Sequence, residues 1–195
     1  MLLCDHEIRA LSLRNSQPMI HPFSEAVSGG DVISYGVTGA GYDLRLGYEV
    51  LMFKNTSGEV VNPKRFKDLE YRNRMFDTIY GNQGTPITIP AHGYILGISL
   101  EYIRMPRNLK GRCVGKSTYA RCGIIANLTP LEPEWEGFLT IEIGNITPCP
   151  ALVFMGEGIC QLEFELLNKT PEVSYADKNG IYQNQMEVTP ARVKS

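Results

Sequence analysis

From residue 32 onward, the sequence consists of short runs of β-branched and aromatic residues separated by glycine and proline turns. Side chains of these types pack well on the pleated surface of a sheet, and turn residues at short intervals keep each run to strand length. The pattern is typical of a mainly β sandwich, barrel or jelly roll. We therefore predict a mainly β fold.

Residues 2–14 carry the one clear helical pattern. Ile8, Ala10 and Leu11 share one face at helical spacing, and Asp5 can cap the first turn. The sequence therefore predicts a single N-terminal helix placed before the strands.

Other local patterns complete the prediction. Glycines in 36–47 are interpreted as turns between short strands, and the charged, irregular residues 62–84 as a long surface connection. The tail from residue 173 is polar and lacks apolar periodicity. Further strands are predicted at 32–37, 138–143, 151–155 and 159–166, with a hairpin at 55–58 and a turn at 90–93.

The length and charge of the chain limit its organisation and its partners. A chain of 195 residues predicts one domain, 1–195, with a core that needs no disulfides. A net charge of −2 gives no broad basic field for polymeric nucleic acid. An anionic ligand must therefore be met by local lysines and arginines.

The remaining composition predicts a cytoplasmic protein. The first residues lack the apolar region of a signal peptide, and the longest apolar runs, 94–100 and 151–155, are far below the ~20 residues that span a bilayer. Five cysteines without C-x-x-C spacing favour reduced thiols over disulfides or a zinc cluster.

Reactive side chains concentrate between residues 115 and 145, where one predicted strand carries a glutamate. Alternation places Leu139, Ile141 and Ile143 on a core face, and Thr140 and Glu142 on the opposite face. A carboxylate on that half-apolar face is either an ordinary solvent-facing strand residue or a general acid/base with a raised pKa. Spacing alone leaves both interpretations open.

A short helix is predicted at 117–122, and it places Ser117 and Arg121 on one face at i, i+4 spacing. Free backbone N–H groups at its start and the neighbouring Lys116 suit a phosphate. An ordinary helix with a surface arginine explains the same residues. Both interpretations stay open at this point.

Three glutamates crowd the turn around the one tryptophan: Glu132, Glu134 and Glu136 beside Trp135. They form either a polar turn whose tryptophan plugs the core, or a site where a carboxylate helps to hold a metal-bound triphosphate or a hydrolytic water. Asp43, in G-Y-D-L-R, is either a turn-forming residue or a site residue, and we favour the turn-forming role.

Two familiar motifs are absent. The P-loop pattern before Gly115-Lys116-Ser117 requires a glycine where the chain has Lys110. The zinc-deaminase signature H-x-E followed by P-C-x-x-C is also missing, since Cys149 has no second cysteine three positions on. The sequence therefore predicts no zinc site.

Taken together, these residues resemble the dCTP deaminase branch of the dUTPase-like superfamily over nearly the full length. The resemblance is carried by I-S-Y-G-V at 33–37, G-Y-D-L-R at 41–45, G-K-S-T-Y-A-R-C-G-I at 115–124, T-P-L-E-P-E-W-E-G at 129–137, L-T-I-E-I-G-N at 139–145 and V-S-Y-A-D-K-N-G at 173–180. It implies a distorted jelly roll or β-clip barrel with an N-terminal helix, a flexible C-terminal lid at about 173–195, and a homotrimer with inter-subunit active sites.

The resemblance also implies zinc-independent deamination of dCTP to dUTP and ammonia, which supplies dUTP and dUMP for thymidylate synthesis. Glu142 would be the general acid/base that activates a water for attack on C4 and protonates N3. Ser117 and Arg121 would orient that water, Glu142 and the phosphates. Lys116 and Thr118 would contact phosphates.

Further residues and ligands follow from the same resemblance. Glu132 would lie near the sugar, and in dUTPase relatives such an acid orients the water that attacks the α-phosphate. The backbone at Thr140 would read the base, while Tyr175 and Gln185 would belong to the lid. Mg²⁺ would be carried by the triphosphate, and dTTP would be an inhibitor.

The tail departs from the family pattern at three positions. Ile181 stands where relatives usually have a lysine, and Asn184 and Glu187 stand where glycines are common. Losing a cation and gaining a carboxylate should weaken attraction of the triphosphate, and losing glycines limits the conformations of the loop. The sequence therefore predicts weaker attraction of the triphosphate and a tail loop with fewer accessible conformations.

Three alternatives to a plain deaminase remain. A bifunctional enzyme would also cleave dUTP to dUMP and pyrophosphate, with Glu132 orienting the water. A plain dUTP pyrophosphatase fits less well, because Ser117, Arg121 and Glu142 form the deaminase pattern. A non-catalytic nucleotide-binding regulatory trimer would not need Glu142 as an acid/base.

Overall fold

The computed structural model describes residues 1–14, 16–54, 58–127 and 130–194. In these ranges the helices are α1 (Asp5–Ser12), α2 (Leu69–Met75) and α3 (Ser117–Ala120), and the strands are β1 (Ile20–His21), β2 (Val27–Gly29), β3 (Val32–Thr38), β4 (Gly41–Phe53), β5 (Phe76–Tyr80), β6 (Pro86–Ile89), β7 (Tyr94–Arg104), β8 (Leu109–Gly115), β9 (Ile124–Ala126), β10 (Pro130–Leu131), β11 (Glu136–Asn145), β12 (Ala151–Phe154) and β13 (Gly158–Leu166). The predicted mainly β class with an N-terminal helix is confirmed.

One antiparallel sheet organises the chain and runs in the order β10-β8-β13-β4-β7-β11-β9. The long strand β4 pairs with β3 and β13 along its first half and with β5 and β7 along its second half. A single strand thereby connects two parts of a curled sheet. A second sheet joins β6 and β12. The glutamate-bearing strand β11 lies between β7 and β9.

The N-terminal helix is confirmed, although it is shorter than predicted and differently capped. Its N-cap is Cys4, whose backbone N–H donates to the Glu7 carboxylate at 3.0 Å, so the expected capping role of Asp5 is wrong. Ile8 is fully buried, whereas Ala10 is exposed. The buried stripe is thus narrower than the predicted apolar face.

The prediction of an irregular surface connection at 62–84 is wrong. Asp68 caps α2 by accepting from the backbone of Tyr71 at 3.2 Å, and β5 then pairs with β4. A second apolar cluster forms here from Leu51, Phe66, Tyr71, Met75, Phe76, Leu96, Ile98 and Val188. Its aromatic residues are interleaved with charges that remain outside, which obscured the buried face in the sequence.

The predicted division of 37–53 into short runs is confirmed at Gly39, where a turn separates β3 from β4, and is wrong at Gly47, because β4 continues through it. A Cβ on Gly47 would lie 2.7 Å from Ile98 Cγ2, so this glycine serves a close approach between strands and not a turn. The turn at 90–93 is confirmed by a 2.8 Å bond from the Gly93 N–H to the Pro90 carbonyl. Of the hairpin predicted at 55–58, residues 55–57 lie outside the described residues.

A charged pair lies inside the core between β4 and β7. The Glu101 carboxylate is fully buried and accepts from Arg45 Nε at 2.7 Å and from the Arg45 backbone N–H at 3.0 Å. Burial raises the pKa of Glu101, and the Arg45 guanidinium opposes that rise. The two residues therefore depend on each other to remain buried.

Among the described residues, no helix is both long enough and apolar enough to cross a membrane. The longest of them, α1, spans 8 residues.

Candidate functional site

Strand β11 presents its two faces as the alternation predicted. Leu139, Ile141 and Ile143 are at most 3% exposed and lie in the main core. On the other face Thr140 is buried and Glu142 is half-buried. This second face is the floor of a cavity, so Glu142 is not an ordinary solvent-facing residue.

The cavity above this face has a volume of about 380 Å³ and brings together five predicted site residues. They are Glu132, Thr140, Glu142, Tyr175 and Gln185. Aromatic side chains of Phe53, Phe66, Tyr94 and Trp135 contribute to the walls. A mostly apolar cavity with a few convergent polar groups is the usual form of a small-molecule site, and flat walls suit a flat ring.

The C-terminal tail forms one side of this cavity by pairing with β11. The Phe138 N–H donates to the Gln185 carbonyl at 2.8 Å, and the Thr189 N–H donates to Thr140 Oγ1 at 3.1 Å. Gly137 has a φ of +147°, and a Cβ there would lie 2.7 Å from the Gln185 nitrogen. The tail thus lies against the strand that carries Glu142, while its predicted motion remains a prediction.

The structure shows the surroundings of Asn184 and Glu187, two of the tail positions that depart from the family pattern. Asn184 has a φ of +56°, which asparagine tolerates better than most residues, and its N–H donates to the Glu136 carbonyl at 2.9 Å. Asn184 therefore adopts a left-handed conformation that would also suit glycine. Glu187 is exposed and lies outside the lining of the Glu142 cavity.

The turn around Trp135 separates its three glutamates. Glu134 pairs with Arg107 and Glu136 pairs with Arg104, each at 2.7 Å, so these two carboxylates hold the turn in place. Glu132 lines the cavity. Trp135 Nε1 donates to the Tyr182 carbonyl at 2.7 Å, an anchor for the tail that the sequence did not predict.

Tyr94 is a cavity residue that the sequence analysis missed. It lies opposite Gly144 in the β7–β11 pair, two positions beyond Glu142. Burial, together with the nearby charge of Glu142, raises the pKa of Tyr94 to about 12. Its hydroxyl therefore stays protonated at neutral pH. Tyr94 is the first residue of β7, and no pattern in the neighbouring sequence marks it as a site residue.

Helix α3 is present as predicted at 117–122, but it is a single turn over Ser117–Ala120. Ser117, Thr118 and Arg121 are exposed and do not line the described cavity of their own chain. Arg121 Nη1 donates to the Ser117 carbonyl at 3.4 Å. Within one chain, these residues and Glu142 do not meet in that cavity.

Lys116 is engaged in an ion pair with Asp43, and both side chains are 10% exposed. Gln161 Nε2 also donates to Asp43 Oδ1 at 3.0 Å. Asp43 lies within β4, so the predicted turn-forming role is wrong. A phosphate contact from Lys116 would share its ammonium with this carboxylate.

The chain matches the family model described as dCTP deaminase-like over residues 2–167. It belongs to the dCTP deaminase-like family. A dCTP deaminase of Acidobacterium capsulatum is 46% identical over 184 residues, covering 94% of each chain. One of Granulibacter bethesdensis is 45% identical over 192 residues, covering 98% of this chain and 99% of that protein.

A solved structure, the 2′-deoxycytidine 5′-triphosphate deaminase of Agrobacterium tumefaciens, shares the fold of this dCTP deaminase-like chain. The TM-score is 0.59 at 20% sequence identity, and the match covers 85% of this chain and 48% of that chain. The similarity confirms that this chain has the fold of a solved dCTP deaminase.

Proposed function

We propose that this protein hydrolyses dCTP to dUTP and ammonia. The observation that carries the proposal is Glu142, half-buried on the floor of an aromatic-walled cavity beside Thr140 and Gln185. Relatives named dCTP deaminase that are 45–46% identical to the chain support this substrate. A carboxylate in a largely apolar cavity is suited to hold and release a proton during catalysis.

Each cavity residue has a proposed role in the reaction. Glu142 takes a proton from water as the water oxygen bonds to C4 of cytosine, and the proton passes to N3. Glu142 then transfers the remaining hydroxyl proton to the exocyclic nitrogen, the C4–N bond breaks, and ammonia leaves. The Thr140 backbone reads the base edge, while Tyr175 and Gln185 enclose the nucleotide from the tail.

The complete site is proposed to form between subunits of a homotrimer. Ser117 and Arg121 of one copy would orient the water and the phosphates in the cavity of the next copy, with Lys116 and Thr118 as phosphate contacts. Their position outside the cavity of their own chain supports this arrangement. Mg²⁺ enters as part of the substrate, bound to the triphosphate. dTTP would compete for the same site.

A second activity is favoured by one specific observation. The Glu132 carboxylate lines the same cavity as Glu142. It could orient a water toward the α-phosphate, so that the enzyme would continue from dUTP to dUMP and pyrophosphate. The two reactions would then use two different carboxylates of one cavity.

Product analysis tests both activities. Incubation with dCTP and Mg²⁺, followed by chromatography, is expected to show ammonia with dUTP or with dUMP. If dUMP forms, Glu132→Gln should stop the reaction at dUTP and leave ammonia release in place. Pyrophosphate from dUTP without any deamination of dCTP, or nucleotide binding without turnover, would overturn the deaminase proposal.

Gly180→Ala should raise the KM for dCTP by about ten-fold with little change in kcat. A Cβ at Gly180 would overlap the ring of Tyr175, whose hydroxyl accepts from the Tyr182 N–H at 3.0 Å. The displaced ring would leave its place in the cavity. Gly39→Ala is the matched control, because its Cβ would meet nothing within 4 Å. Equal KM values for the two variants would contradict the role of Tyr175.

A cytoplasmic location is also proposed. All five cysteines are free thiols in the structure, which is the usual state in a reducing compartment.

A further inference from the structure

Two of the tail positions that depart from the family pattern line one cleft. Ile181 and Glu187 both contribute to a cavity of about 480 Å³ next to the cavity of Glu142. Five cationic side chains line the same space, and we name it the basic cleft: Lys64, Lys67, Arg72, Arg192 and Lys194. Ile181 itself carries no charge, but five cationic side chains from other positions line the same cleft.

The cations of the basic cleft lack carboxylate partners. None of the five forms an ion pair within 4 Å with any carboxylate in the part of the chain that the structure describes. By contrast, Lys54 and Arg74, from the same region, pair with Asp77 and Glu70. Like charges gathered in one cleft repel one another unless an anion joins them.

The acidic groups near the basic cleft are too few to neutralise it. Glu187 is the one carboxylate among its described lining residues. Burial raises the pKa of Glu49, and the nearby Arg72 guanidinium partly opposes that rise. The cleft keeps a strong excess of positive charge in a chain whose net charge is −2. Such local excess attracts a multiply charged anion.

The basic cleft adjoins the site of the proposed reaction, since Phe66 and Ala191 line both cavities. We propose that the basic cleft binds the terminal phosphates of the nucleotide whose base lies beside Glu142. This assignment rests on the proposed function. Lys64, Lys67 and Arg72 thereby supply positive charge that Ile181, which lines the same cleft, does not.

The test removes three cations of the basic cleft that come from outside the tail sequence and puts an uncharged polar side chain in place of each. Lys64→Gln/Lys67→Gln/Arg72→Gln is expected to raise the KM for dCTP by about ten-fold, with kcat nearly unchanged. It should weaken binding of inorganic tripolyphosphate, measured by calorimetry, to a similar extent. The matched control, Arg14→Gln/Lys110→Gln/Lys169→Gln, loses the same charge at exposed positions outside the basic cleft.

Glu187→Gln tests the proposal in the opposite direction and does not depend on a loss of stability. Because it removes the carboxylate of the basic cleft, the KM for dCTP should fall about three-fold. A KM that stays constant or rises would contradict the proposal.

The outcomes separate the two proposals. Normal turnover with an unchanged KM in the cleft variant, or an equal KM rise in the control, overturns the basic-cleft proposal alone. Tripolyphosphate that inhibits without competing with dCTP also overturns it, because the cleft would then serve a separate anion. Weaker tripolyphosphate binding in the cleft variant, with no deamination by the wild type, supports the anion site and overturns the proposed function.

Discussion

Glu142→Gln should reduce kcat for dCTP deamination by about 10²- to 10⁴-fold. Glutamine keeps the size of the side chain and one acceptor oxygen, but it cannot take a proton from water and deliver it to N3. Glu142 lines the cavity and its backbone carbonyl accepts from the Asn127 N–H at 2.9 Å, a contact that the substitution leaves intact. The Kd for dCTP should therefore change by less than about ten-fold.

Single-turnover kinetics and calorimetry with dCTP measure the two effects separately. Glu163→Gln is a suitable control, because Glu163 is a partly buried strand glutamate that pairs with Arg112 away from the cavity. This control should retain wild-type kcat. Near-normal turnover of Glu142→Gln would show that another group transfers the protons.

Arg45→Met should lower the free energy of unfolding by about 3–5 kcal/mol. The Glu101 carboxylate is fully buried and receives two hydrogen bonds from Arg45. Methionine fills part of the volume but leaves a buried charge without its cation. Urea unfolding at fixed protein concentration measures the loss, since assembly would make stability depend on concentration.

The loss in Arg45→Met should be larger at about pH 8 than at about pH 5. Burial raises the pKa of Glu101 in the folded protein above its unfolded value of about 4.3. Stability linked to this carboxyl is complete below the unfolded pKa and declines as pH rises through the folded pKa. Without the Arg45 cation the folded pKa rises further, so the decline continues to higher pH.

The double variant Arg45→Met/Glu101→Gln checks the cause. Removing the buried charge as well should recover much of the lost stability and remove the added pH dependence. A double variant that is as unstable as the sum of the single variants would mean that packing, and not the unpaired charge, explains the effect.

Most strands could be predicted because their burial follows the simple alternation of one strand. Residues 138–143 and 159–166 lie within β11 and β13, where one face packs into the core. Residues 62–84 were mispredicted for a physical reason. Phe66, Tyr71 and Phe76 are buried only because β4, β7 and the tail cover them, and local charges in the sequence conceal that face.

In the candidate site, too, some features follow from local alternation and others depend on tertiary contacts. Alternation placed Glu142 and Thr140 on one face, and this follows from the geometry of a strand. The meeting of Glu132 and Glu142 with Gln185 depends on the tail lying along β11, and Gly137 permits that approach. Glu142 and Gln185 are more than 40 residues apart in the sequence. No local pattern could therefore predict that the tail pairs with β11.

The sequence by itself determined the mainly β class, the N-terminal helix, the face on which Glu142 lies and, through resemblance, the family. Those properties depend on the spacing of neighbouring residues or on motifs that can be read directly. Only the tertiary structure decided which side chains share the cavity, that Lys116 pairs with Asp43, and that five cations gather beside Ile181. These contacts join distant segments, and their geometry arises from the packing of the whole sheet and tail.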